Sequence, residues 1–270
     1  MSEGNQGSIA GTRRVLKGLH GLGGVRTPSS VLPGVLARVG LQDTYWQQDS
    51  PIGPIYVAYG EGGVSAVRRA SEATGFEEWY RTRFGRPVMQ AARPPRALAE
   101  VVERRLGAGA QGDIEIDLRG VSAFQRAVLQ KTLEIPRGEV RPYGWIAREI
   151  GRPGAVRAVG SALNHNPVPL LIPCHRVVQT NGRVGEYAFG SAAKRAVLEA
   201  EGASPDLLEE LARRGVRYLG DTEDHTFCLP TCAGMHRRLT EPRYVTFRTP
   251  QQAVSAGYRA CDVCRPALAS

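Results

Sequence analysis

The chain has 270 residues, 42% of them hydrophobic, with 35 Lys and Arg against 26 Asp and Glu for a formal net charge of +9. That length suits two or three small domains. No apolar run approaches the ~18 residues of a membrane helix, and no signal-peptide core precedes a cleavage site, so a cytoplasmic protein with no membrane partner is expected. The positive balance suits a polyanion, nucleic acid foremost, though it also describes an indifferent basic surface. It is concentrated between Arg119 and Gly202, where 12 Lys and Arg face 6 Asp and Glu. Four of the five cysteines lie in the last 43 residues and Cys174 stands alone. An odd count in a reducing compartment argues against a disulfide framework and for one metal site plus one thiol that is either reactive or merely buried.

In chain order, residues 1–42 read as a flexible Gly-, Ser- and Arg-rich tail closing on one short helix (Val31, Leu32, Val35, Leu36, Val39). Residues 52–59 read as a strand, Glu61-Gly62-Gly63 as a turn and residues 64–67 as the returning strand of a hairpin. Helices are expected over 76–80 and 97–106, and the alternation over 113–118 predicts another strand. Residues 43–118 thus form a small α+β subdomain.

Residues 119–203 read as mainly helical. Ser122 opens a helix with Phe124, Val128 and Leu129 on one face; a second helix spans 143–150 and stops at Gly151. Arg152-Pro153-Gly154 is a tight turn before a third helix over 155–163. Helix, Gly/Pro turn, helix is the outline of a helix-turn-helix, and equally of a plain packing unit. On the third helix, helical spacing puts Val156, Val159 and Leu163 on a core stripe and Arg157, Gly160, Ser161 and Asn164 opposite. One long cation among very small residues suits close approach to a DNA groove, with the arginine reaching into the base stack. A tight helix–helix contact would use the same small residues. Further helices are expected over 191–201 and, as a connector within 204–216, over 205–214, with Ser204 as N-cap and Pro205 at the first position.

Cys174 follows a proline-stiffened apolar run, Pro167-Val168-Pro169-Leu170-Leu171-Ile172-Pro173, and precedes His175 and Arg176. Apolar surroundings raise a thiol's pKa; a neighbouring imidazole can take the proton, and cationic charge favours the thiolate. Thiolate is a soft nucleophile suited to displacement at an alkyl carbon. These residues resemble the methylated-DNA–protein-cysteine methyltransferase family. Ile172-Pro173-Cys174-His175-Arg176-Val177 matches its active-site signature and Asn166-Pro167-Val168-Pro169 the element before it. Ala155-Val156-Arg157-Ala158-Val159-Gly160 resembles its recognition helix, residues 139–150 with Tyr143 the preceding one, and Gly185, Tyr187, Gly190, Glu201 and Gly202 also fit.

The resemblance spans residues 43–203 and implies roles. Cys174 would accept the methyl group, His175 would be its base through a water, and Glu201 would orient His175. Asn166 would fix the turn, and Tyr143 would help rotate the nucleotide and protonate the guanine ring. Arg157 would fill the gap left by the extruded base, on a DNA-binding face with Ala155, Ala158, Gly160 and Ser161. Pro169, Val177 and Tyr187 would line the pocket. Glu186, Ala188 and Phe189 stand where many bacterial relatives carry Gly and Arg-Trp, which alters the pocket rim. Alkyltransferase-like relatives lack the acceptor cysteine, which this chain has.

Cys228 and Cys232, then Cys261 and Cys264, form two close pairs separated by 28 residues in a small module, 217–270, that buries little apolar surface. Such pairs suit tetrahedral Zn2+, whose binding would supply much of the folding energy. Phe227-Cys228-Leu229-Pro230-Thr231-Cys232 and the run from Ala256 to Pro266 resemble the zinc domain of the Ada adaptive-response protein. That resemblance makes Cys228 both a ligand and the counterpart of a cysteine that accepts methyl groups from DNA phosphotriesters. Arg259 remains, but the acidic run Asp221, Glu223 and Asp224 and the neutral Ala233 and Met235 argue against that second role and for a structural zinc module that aids DNA or partner binding.

The expected fold is therefore α/β of the α+β kind: a sheet-plus-helix subdomain, a helical alkyltransferase domain with a helix-turn-helix, and a zinc module. The expected function is stoichiometric alkyl transfer from O6-alkylguanine, with O4-methylthymine as a further substrate, to Cys174 of a monomer bound to double-stranded DNA. Two other readings are kept: a damage-binding or regulatory protein without transfer, and bifunctional repair that also uses Cys228.

Overall fold

The computed structural model of the chain describes residues 42–107, 112–232 and 244–266. Apart from Gln42, the expected tail and its short helix lie outside the described residues, as do Ala233 and Met235.

The first unit is a sheet of β1 (Asp43–Gln48), β2 (Ile55–Gly60), β3 (Gly63–Arg69) and β4 (Val88–Gln90) in the order β3-β2-β1-β4, with β4 parallel to β1. The expected hairpin is β2–β3. Its Gly63 has φ +96°, and a Cβ there would sit 2.3 Å from the Glu115 carbonyl oxygen, so no other residue fits. The inner strand β1 escapes the period-2 pattern because both its faces are covered. Trp46 joins the central core, while Tyr45 packs on Phe76 of α1 (Phe76–Phe84), so no polar face marks it.

Residues 113–118 are not the regular strand expected of them. They make a single bridge, Val64 to Ile116, closed by Val64 N donating to Glu115 O and Asp117 N to Val64 O. Pairing stops because Asp117 turns inward. Its carboxylate accepts from Arg86 Nη2 at 2.7 Å and from Arg119 N and Nε at 2.9 Å each, and these guanidiniums hold it below the usual carboxylate range against the cost of burial. Arg86 also donates to Asp43 at 2.6 Å, fastening the segment to the sheet.

Helix α2 (Arg96–Leu106) leads to α3 (Ala123–Leu133), whose cap is the expected one: Ser122 Oγ accepts from Gln125 N at 3.1 Å. Then come β5 (Arg141–Pro142), α4 (Tyr143–Glu149) and α5 (Val156–Asn164). Gly151, at φ +70°, ends α4 with its N–H on the Arg148 carbonyl, and Arg152 N returns to Ala147 O. Beyond them lie β6 (Val177–Val178), α6 (Ser191–Ala200) and α7 (Pro205–Arg213). Pro205 opens α7 as expected, but Ser204 makes no capping bond with its side chain.

The last unit is a second sheet of β7 (Tyr218–Asp221), β8 (Thr226–Cys228), β9 (Tyr244–Phe247) and β10 (Arg259–Ala260), ordered β10-β8-β7-β9, with α8 (Pro250–Ser255) beside it. One apolar core runs from the first sheet through Val128, Ile146, Val159 and Ile172 to Cys174. Another joins Val178, Leu198 and Leu208 of the helical region to Leu219, Cys228 and Cys264 of the last unit. Among the described residues no helix is long and apolar enough to cross a membrane.

Candidate active site and cysteine cluster

Cys174 opens a single 3-10 turn, Cys174–Arg176, at the end of the proline-rich run. Asn166 closes that run into an arc: its Oδ1 accepts from Val168 N at 3.0 Å, while its Nδ2 faces Ile172 O and Cys174 Sγ, each at 3.1 Å. Leu170, at φ +73°, carries backbone strain within the arc that only a fixed framework sustains. Part of that framework is the first subdomain, through Val67 N donating to Pro167 O at 2.9 Å and Arg105 Nη1 to Leu171 O at 3.4 Å. The parallel pairing of β5 with β6, Arg141 to Val177 and Pro142 to Val178, then sets the start of α4 beside the cysteine turn.

The sulfur faces a cavity of about 390 Å3 lined by Tyr143, Gly160, Leu163, Asn164, Cys174, Glu186, Tyr187 and Ala188. Of the three expected pocket residues, Tyr187 lines it; Pro169 and Val177 are buried and are not among the lining residues. Glu186 and Ala188, two of the residues that depart from the family's pattern, form part of its wall.

Burial raises the Cys174 pKa, opposed first by the Asn166 amide and then by the charge of Lys194. Lys194 is fully buried on α6, with Nζ 2.6 Å from Val177 O, and burial brings its pKa down to about 8. The sequence reading missed it because a lysine in a helix is ordinarily solvated. The signal was its position: Lys194 lies three and four residues before Val197 and Leu198, on the buried face of α6. The cation expected at the thiol, Arg176, points elsewhere. It grips Glu201 in a bidentate pair, Nε to Oε2 and Nη2 to Oε1 at 2.8 Å each, and donates to Ile135 O at 2.6 Å. A planar fork facing a carboxylate is satisfied best in that way.

His175 is buried, with Nε2 3.1 Å from Glu201 Oε1. The contact is close but not aligned as a hydrogen bond, and neither ring nitrogen has an aligned acceptor in the protein. Burial outweighs Glu201 and lowers the imidazole's pKa, so the ring is neutral and able to accept a proton at neutral pH. Glu201, despite burial, is pulled down to about 2 by Arg176 and His175 and stays a carboxylate. Tyr143 is pushed up by burial and then by the Cys174 and Glu186 charges, which keeps its hydroxyl protonated.

On α5, Arg157, Ala158 and Ser161 are exposed and Ala155 and Gly160 half-buried, an open face of small residues around one arginine. Val156, expected on the core stripe, is 40% exposed. It is the first residue of α5, one turn before Val159, Ala162 and Leu163 carry the packing.

In the last unit the four cysteine sulfurs lie within 4.8 Å of one another. Zn–S bonds of ~2.3 Å in a tetrahedron need sulfurs ~3.8 Å apart, and Cys232 and Cys261 stand at 3.9 Å. Backbone N–H groups of Leu229 and Val263 point at the Cys264 and Cys261 sulfurs at 3.4 Å each, the arrangement that stabilises bound thiolates. In the absence of a cation, the crowded neighbours Cys232 and Cys264 push the Cys228 thiol far above its ordinary range. A divalent ion reverses that balance. The quartet is a Zn2+ site.

The model of the 6-O-methylguanine DNA methyltransferase DNA binding domain matches residues 123–203, and that of the metal binding domain of Ada matches residues 212–267. A methylated-DNA–protein-cysteine methyltransferase of Mycobacterium tuberculosis is 42% identical over 157 residues, covering 57% of this chain and 88% of that protein. This chain belongs to the methylated-DNA–protein-cysteine methyltransferase family. A family member from Methanosarcina acetivorans is 37% identical over 160 residues, covering 57% of this chain and 96% of its own length. Among solved structures, M. tuberculosis OGT in complex with DNA is similar with a TM-score of 0.50 and 36% identity, over 61% of this chain and 98% of that one. The family's fold thus accounts for 61% of this chain.

Proposed function

We propose that this protein repairs DNA by single-turnover alkyl transfer from O6-alkylguanine, and from O4-methylthymine, to Cys174. The observation that carries the reading is the Cys174 sulfur, facing a cavity large enough for one base while held by Asn166 and supported by Lys194. The α5 face fits the minor groove of double-stranded DNA, where Ala155, Ala158, Gly160 and Ser161 allow close approach and Arg157 fills the place of the extruded nucleotide. His175 takes the thiol proton through a bridging water, and the Glu201 carboxylate, 3.1 Å from its Nε2, stabilises the charge it gains. The thiolate attacks the alkyl carbon; the S–C bond forms as the C–O6 bond breaks, and Tyr143 supplies the proton that leaves guanine neutral. The thioether is not reopened, so each molecule, a monomer in the cytoplasm, acts once.

Zn2+ in the last unit takes no part in that step; Cys228, Cys232, Cys261 and Cys264 hold it, and it supplies folding energy to their module. Phosphotriester transfer to Cys228 is not favoured. Cys228 is 4% exposed within an apolar cluster, and the cavity beside the quartet, about 10 Å3, has no room for a phosphotriester. The test is to mix the protein with an O6-methylguanine duplex and weigh its peptides. A gain of one CH2 on the Cys174 peptide, absent in Cys174→Ala, is expected. An unchanged mass with binding retained would make the protein a damage binder without transfer.

A further inference from the structure

Helix α4 has seven residues, too few to be stable alone, so its position is set by what it packs against. Ile146 and Ala147 face the alkyltransferase core. Its other side meets the zinc module. There Pro142, Trp145 and Arg148 face Leu229, Cys232 and Cys264 across a seam that leaves only about 10 Å3 of free space. Arg148 Nη2 donates to the backbone carbonyl of Cys264 at 3.3 Å, so one zinc ligand is tied to α4 by a hydrogen bond. At the other end of the same short helix Tyr143 lines the cavity in front of Cys174.

We infer that the zinc module is a positioning element for alkyl transfer: the metal-bound cysteines, acting through the Arg148–Cys264 seam, fix α4 and thereby place Tyr143. The inference rests on the function proposed above. A module of this size holds its fold through its metal, and the cores of the two units are continuous where they meet. Loss of the ion therefore removes one wall of α4. By linkage, a duplex that orders α4 should also tighten zinc binding.

The test uses the full chain. Hydrogen exchange is followed in the zinc-loaded and chelator-stripped protein, and in zinc-loaded Arg148→Met, which keeps the aliphatic stem and loses the donor. On stripping, the amides of residues 143–149 are expected to exchange at least about tenfold faster while α1 and α2 are unchanged. Arg148→Met should retain one zinc per chain and show a several-fold smaller maximal single-turnover rate on an O6-methylguanine duplex. Duplex affinity should change less than the rate, and Arg148→Lys should recover part of it.

Exchange at residues 143–149 that ignores stripping while residues 218–228 lose protection overturns the inference. So does an Arg148→Met protein with wild-type exchange and rate. If stripping speeds exchange everywhere, Arg148→Met decides. If the wild-type protein transfers no methyl group, the proposed function fails, and the exchange data still decide whether zinc holds α4.

Discussion

The molecule holds two sulfur centres of similar burial and opposite chemistry. Cys174 is 6% exposed and Cys228 4%. Around Cys174 the neighbours are an amide, a buried ammonium and an open cavity; around Cys228 they are three more sulfurs within 4.8 Å. A lone thiol beside a cation and a space becomes a nucleophile, whereas a thiol among its own kind is reactive toward a metal and little else. Burial by itself does not separate the two; the identity of the surrounding groups does.

The sharpest way to break the contrast is to remove one sulfur from each centre. Cys174→Ser should abolish transfer, read by peptide mass, while zinc content stays at one per chain. Cys264→Ser should do the reverse: zinc is lost and the module melts early in a thermal scan, while transfer is slowed and still detectable. If Cys264→Ser abolished transfer at a folded Cys174 site, the two centres would not be chemically separate.

A smaller effect is expected at Lys194. A nearby cation shifts a thiol pKa by ~1–3 units, so Lys194→Met should slow single-turnover transfer roughly 10- to 1000-fold near pH 7. The wild-type rate should gain progressively less from rising pH above about 8, where Lys194 loses its proton. A wild-type rate in Lys194→Met would show that the amide of Asn166 suffices.

The smallest effect concerns stability. Glu201 titrates at about 2 in the fold against 4.5 unfolded, so its contribution is fully present above pH 4.5 and lost as pH falls toward 2. The difference corresponds to about 3 kcal/mol. Denaturant midpoints measured from pH 6 to pH 2 should fall less steeply in Glu201→Gln than in the wild type, from a lower starting value. Parallel slopes would place the acid sensitivity elsewhere.

The cysteine turn, its asparagine and the zinc quartet were legible because each is a run of adjacent or closely spaced residues whose chemistry is local. Most helices were legible from their period, with ends that moved by a residue, but the helix read over 76–80 runs on to Phe84 and α8 carried no period long enough to read. Strand β1 was not, since a strand covered on both sides shows no alternation. Residues 113–118 read as a full strand because the pull of Arg86 on Asp117 is long-range. Arg176 was placed at the thiol by adjacency, when the geometry of its fork sends it to Glu201, 25 positions away. Lys194 was passed over because its pattern position and its residue type point in opposite directions.

The closed arc between Asn166 and Cys174 has a consequence for how the chain can change. One amide side chain touches the second, sixth and eighth residues after it, and Leu170 already stands in a strained conformation between them. Loops elsewhere on the surface tolerate added or missing residues. Here a single insertion or deletion would slide the sulfur off its mark, so the spacing of this segment, more than its apolar composition, is what cannot drift.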